Sequence, residues 1–177
     1  MNKKMMKRSL ALGALMAFVI TGSAMAADES YGSTMLDKDV TVTGGNLTYT
    51  ADDSSANNSL GELNDKGQVV KDKRSFGLAV IDGGSHTITL DEGKTLYIKN
   101  SLEGTDRNYG IVSSANKKAN SLTVNGNVEI KVAGIGTQNV RGIRNAGTNG
   151  TMVFNGDVHI VADIKNPSNG GYITGVD

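Results

Sequence analysis

The stretch Tyr109–Ala162 says one thing twice. Tyr109-Gly-Ile111 leads through a polar loop to Ser121-Leu-Thr-Val-Asn-Gly-Asn-Val-Glu-Ile-Lys-Val132. Arg141-Gly-Ile143 then leads through a second polar loop to Thr151-Met-Val-Phe-Asn-Gly-Asp-Val-His-Ile-Val-Ala162. An earlier copy opens at Phe76-Gly-Leu78 and continues as His86-Thr-Ile-Thr-Leu-Asp-Glu-Gly-Lys-Thr-Leu-Tyr-Ile-Lys99. The glycines Gly77, Gly110, Gly142 and Gly175 fall 33, 32 and 33 residues apart. A fixed period of this length is the mark of a repeat architecture in which each unit buries its apolar face against the next.

Within a unit the apolar residues alternate with period two, and no sustained helical spacing occurs. Val128, Ile130 and Val132 share one face of a strand while Glu129 and Lys131 take the other. Val158, Ile160 and Ala162 repeat that face, with His159 and Val161 outward, and Leu96 and Ile98 form it in the earlier copy, with Tyr97 and Lys99 outward. Stacking in register puts Leu122 over Met152, Val124 over Phe154 and Ile130 over Ile160. Asn125-Gly126 and Asn155-Gly156 recur 30 residues apart, as stacked corners with a common left-handed backbone would require. The same dipeptide also suits a two-residue hairpin in an antiparallel sandwich or barrel, but a hairpin leaves the repeat of the whole unit unexplained. The expectation is an all-β chain, a right-handed parallel β-helix (β-solenoid) with coils of about 30–33 residues.

The rest of the chain arranges itself around this block. Residues 1–26 read as a secretory signal peptide: a basic start (Lys3, Lys4, Lys7, Arg8), an apolar run from Leu10 to Ile20, and Ser23-Ala-Met-Ala26 before a cut between Ala26 and Ala27. Residues 27–39 are expected to be a cap or a loose segment, and 40–177 the β-solenoid. Within it Val40–Ala51 is a looser copy of the unit, and 52–75 is polar and aperiodic, a surface insertion. Tyr172–Asp177 opens another unit and goes no further, which suggests a chain truncated at its C-terminus, since an open solenoid end needs a cap.

Of 18 basic and 18 acidic residues, four basic ones lie in the signal, so the mature chain carries fourteen against eighteen, a net of −4. That balance, with no basic patch among aromatics, argues against nucleic acid. There is no Cys, so the exported chain is held by burial and backbone pairing rather than by disulfides.

Chemistry is sparse. The two histidines, His86 and His159, have no zinc-pair spacing, and no nucleophile elbow or phosphate loop occurs. Asp82 and Asp91 sit in lone turns that do not gather calcium oxygens. No catalytic, cofactor or metal residue is assigned, and the chain is read as not an enzyme. Candidate surface-contact residues are Tyr97, Tyr109, Glu129, Arg141 and His159, all read as pointing outward, with Glu129 beneath His159. The threonine pairs Thr41/Thr43 and Thr87/Thr89 hint at an ordered-water face that Thr123/Asn125 and Val153/Asn155 do not continue.

Together the signal peptide, the Gly-aliphatic openings at Gly77, Gly110 and Gly142, and the Leu-Thr-Val-Asn-Gly-Asn-Val-Glu-Ile double strands resemble the N-terminal part of a bacterial autotransporter (type V secretion) passenger domain with its pectin-lyase-like β-helix. The resemblance covers nearly all of the mature chain and is one of style. It implies an adhesin at the cell surface, on the outer membrane or outside the cell, meeting a protein or glycan of a host or neighbouring cell. It implies membrane contact only through a C-terminal β-barrel that this sequence lacks. The alternative it leaves open is part of a polysaccharide-acting lyase or hydrolase whose active site lies outside this fragment; that family's acidic cluster maps onto no position here.

Overall fold

The computed structural model describes residues 27–53, 60, 68, 73–113, 118–136, 138–146, 149–167 and 170–177. The signal-peptide reading of 1–26, Ala26 included, lies outside them, as does most of the 52–75 insertion.

Among the described residues every regular element is a strand: β1 (Glu29–Tyr31), β2 (Thr34–Met35), β3 (Val40–Val42), β4 (Leu47–Thr50), β5 (Arg74–Val80), β6 (Ser85–Leu90), β7 (Thr95–Asn100), β8 (Arg107–Ser113), β9 (Ser121–Asn125), β10 (Asn127–Ile135), β11 (Asn139–Asn145), β12 (Met152–Asn155), β13 (Val158–Lys165) and β14 (Ile173–Val176). They fall into three sheets, each taking every third strand. The orders are β1-β4-β7-β10-β13, β2-β5-β8-β11-β14 and β3-β6-β9-β12, called here the first, second and third sheets. Every pairing is parallel. This disposes of the hairpin alternative. Gly126, at φ 141°, carries the chain from β9 in the third sheet into β10 in the first instead of folding it back. The common left-handed corner holds only in part. Gly156 is not among the positive-φ residues; it is glycine for want of space, since a Cβ there would overlap the Gly126 carbonyl oxygen and lie 2.6 Å from its carbon.

The stacking register is the expected one. Leu122 lies opposite Met152 and Val124 opposite Phe154, and Ile130 lies opposite Ile160. Alternation sends Leu96, Ile98, Val128, Ile130 and Val132 inward, where they join Leu78, Ile88, Ile111, Leu122 and Val124 in one continuous core. Each such side chain contributes about 1.5–3 kcal/mol by leaving water. Among the described strands, those of the last triplet are stacked on one side only, and its Met152, Phe154 and Ile160 are half-buried. At the opposite end Glu29 takes the column of Leu47, Leu96, Val128 and Val158. There the Tyr31 hydroxyl donates to its carboxylate at 2.7 Å.

Three expectations change. The Gly-aliphatic motif does not open its strand; Gly77, Gly110 and Gly142 lie in the middle of β5, β8 and β11. The segment 27–39 is not loose: it carries β1 and β2, and its Leu36 is 1% exposed. The second sheet is covered on both faces at its centre: all seven residues of β5 and six of the seven of β8 are buried. Its outer face holds Phe76, Ala79, Tyr109 and Val112 in a second apolar cluster, and Leu60, from the insertion expected to run over the surface, packs among them fully buried.

Candidate functional site

The first sheet keeps its outer face open to solvent. Alternation along β7, β10 and β13 places Tyr97, Glu129 and His159 in one outward column. Lys99, Lys131 and Val161 stand in the next column, and Ala133 beside Asp163 in the third. The Lys131 ammonium donates to Glu129 at 2.6 Å, in an exposed pair. That hydrogen bond, with the charges of Lys131, His159 and Lys99 behind it, holds the Glu129 carboxyl below its ordinary range. His159 therefore lies beside Glu129 in register, but the carboxylate's bonded partner is Lys131. The Lys99 ammonium sits 5.9 Å from the centre of the half-exposed Tyr97 ring.

A groove of about 320 Å³ opens where this face changes width. β7 stops at Asn100, while β10 runs on to Ile135 and stays paired with β13 as far as Lys165. Ala133, the smallest outward side chain of β10, leaves a dent there, walled by Lys99, Ser101, Lys131, Val161 and Asp163.

The end of β7 would orphan main-chain groups of β10, and buried side chains meet them. Asn108 Nδ2 donates to the Ala133 carbonyl at 2.7 Å, and the Ile135 N–H donates to Gln138 Oε1 at 2.6 Å. Behind them Ser75 Oγ donates to Asn108 Oδ1 at 2.8 Å, and Asn100 Nδ2 donates to the Tyr109 carbonyl at 2.8 Å. Gln138 Nε2 donates to the Thr105 carbonyl at 2.7 Å. A connected buried network of this kind holds its members in one arrangement, so the floor of the groove is rigidly placed.

Tyr109 and Arg141 do not belong to this face, and they are not exposed. They are neighbours on the second sheet, where Tyr109 is 0% and Arg141 7% exposed. The covering of that sheet's outer face removes them from solvent. The Arg141 guanidinium lies 5.8 Å from the Tyr109 ring centre and 5.1 Å from that of Tyr172, and 3.2 Å from the Asp177 carboxylate. Arg144 Nη1 donates to the Tyr109 hydroxyl at 2.9 Å. Burial pulls the Arg141 pKa below its ordinary value. These contacts join successive strands of the sheet, which is a structural task. Ala27, on the far side of the expected cleavage bond, is exposed.

His86, dismissed as a candidate from sequence, is buried in the third sheet's inward column opposite Leu122. Its Nε2 lies 2.8 Å from Asp82 Oδ2, and Asp82 Oδ1 accepts the Gly84 N–H at 2.8 Å. Burial pushes the Asp82 carboxyl up, but the Gly84 N–H and His86 outweigh it and hold the pKa below the ordinary value. The pair closes a turn that the sequence shows only as Ile81-Asp-Gly-Gly84.

Among the described residues no three His, Asp or Glu side chains gather as metal ligands do. No family model, no curated protein and no solved structure matches this chain. Functional inference therefore rests on its own geometry. The outer face of the first sheet offers hydrogen-bond donors and acceptors of both charges over an apolar dent, the equipment of a contact surface.

Proposed function

We propose that this chain is part of an exported, cell-surface protein of the autotransporter-passenger kind. In this reading it is a right-handed parallel β-helix whose regular core displays outward side chains to a host or neighbouring cell. Its role is structural and adhesive, without catalysis. The observation that carries it is the three-sheet arrangement, in which each successive triplet of strands lies in register on the one before. Such a stack is stabilised unit by unit and can extend a display surface without enlarging a globular core. Export is supported by the order of basic start, apolar run and Ala-x-Ala-like site before Ala27. The candidate contact residues on the open face reduce to Tyr97, Glu129 and His159, with Lys99 and Lys131 beside them.

The test is to express the gene with its own leader in a Gram-negative host. N-terminal mass spectrometry should find the mature chain beginning at Ala27, protease added to intact cells should degrade it, and expressing cells should adhere to host-cell layers more than controls do. A chain retained in the cytoplasm with Met1 intact would overturn the proposal.

A further inference from the structure

We propose that the groove over Ala133 is a subsite for one ring of a neutral glycan. This names the ligand class of the contact face proposed above and rests on that reading. Size, lining and charge all point the same way. About 320 Å³ is the low end of small-ligand sites and suits a single sugar ring. The lining is almost wholly carbon, from Ala133, Val161 and the aliphatic stems of Lys99 and Lys131, which matches the C–H face of a pyranose. The residues of the lining also carry groups able to meet a ring's hydroxyls, the lysines as donors and Ser101 and Asp163 as acceptors.

The charges decide against an acidic sugar. Of the two lysines in the lining, Lys131 is already bonded to Glu129, and the remaining one, Lys99, is balanced by Asp163 of the same lining, so a ligand carboxylate would gain and lose in comparable measure. The main chain decides against a peptide strand. Past the end of β7 the free edge of β10 would be the place for one to add. There the Ala133 carbonyl is taken by Asn108 and the Ile135 N–H by Gln138. The half-exposed Tyr97, next but one to Lys99 along β7, supplies a platform for an adjoining ring.

The experiment applies the purified chain to a printed panel of neutral oligosaccharides of glucose, galactose, mannose and N-acetylhexosamines, with sialylated and uronate-containing ones beside them. Hits are titrated by calorimetry at low and high salt. The expected result is retention on at least one neutral structure, insensitive to salt and weakened about tenfold or more by Ala133→Phe and by Asp163→Ala. Ala133 points outward, so melting should be unchanged in that variant; Val161→Asp serves as a second blocking variant if it is not. No neutral oligosaccharide retained, retention unaffected by either blocking variant, or retention confined to acidic sugars and lost in salt would each overturn the assignment. Because this is measured on purified protein, it is read independently of export and cell adhesion, whose failure would strike the surface reading alone.

Discussion

Gly110 faces Ile130 across the interior with no room for a methyl group. A Cβ on Gly110 would fall closer than 2.5 Å to Ile130 Cγ2 and lie 2.5 Å from the Gly142 carbonyl oxygen. The same approach recurs between Gly142 and Ile160, where a Cβ would also lie 2.6 Å from the Gly175 carbonyl oxygen. The glycine column is therefore where the second sheet closes on the first, and it explains why glycine recurs at Gly77, Gly110 and Gly142. Gly110→Ala should destabilise the fold by about 1–3 kcal/mol or more, the usual cost of overpacking. Gly175→Ala, which meets nothing within 4 Å, should be near neutral. Urea midpoints of the two variants make the comparison, and equal midpoints would remove this explanation.

Leu60 decides how the insertion is regarded. A tolerated surface loop loses nothing when one side chain is trimmed. Fully buried against Phe76, Ala79, Tyr109 and Val112, Leu60→Ala should instead cost about 2–4 kcal/mol. A shift within error in thermal and urea unfolding would return the insertion to the surface.

Tyr49 is buried among apolar side chains, and its hydroxyl meets no hydrogen-bond partner among the described residues. Burial drives its pKa up. An unsatisfied buried hydroxyl costs roughly 1–3 kcal/mol, so Tyr49→Phe should leave stability unchanged or raise it by about 1 kcal/mol. Clear destabilisation would reveal a partner for the hydroxyl.

The Asp82–His86 turn predicts acid sensitivity. The Asp82 pKa is lowered in the folded chain, so its contribution is full above the unfolded value of about 4. It is lost as pH falls through the lower folded value. Asp82→Asn should lower stability at neutral pH and flatten the acid limb of the stability–pH curve. Identical limbs in the two proteins would contradict this.

Legibility from sequence followed the range of the interactions. Period-two alternation and the 30-residue spacing expose the stacking register of Leu122 and Ile130, because each is a local pattern repeated. What covers a sheet is not local. Tyr109 and Arg141 have outward positions by alternation, yet nothing in their own strands shows that Leu60 and Tyr172 lie over that face. His86 likewise reads as an isolated histidine until Asp82 is folded back onto it. On the open face, the column Tyr97–Glu129–His159 was readable. The groove was not, because it depends on β7 ending at Asn100 while β10 continues, and on Asn108 and Gln138 reaching in from elsewhere.

The central claim is the parallel register of successive triplets, and the absence of native cysteine makes it directly testable by engineered disulfides. Thr123 and Val153 are outward partners on β9 and β12, within the reach of a disulfide. The variant Thr123→Cys with Val153→Cys should cross-link readily on mild oxidation, in monomeric protein with its melting temperature kept or raised. Cross-linking instead in Thr123→Cys with Val128→Cys, the pair a hairpin at Asn125-Gly126 would bring together, would contradict the parallel stack.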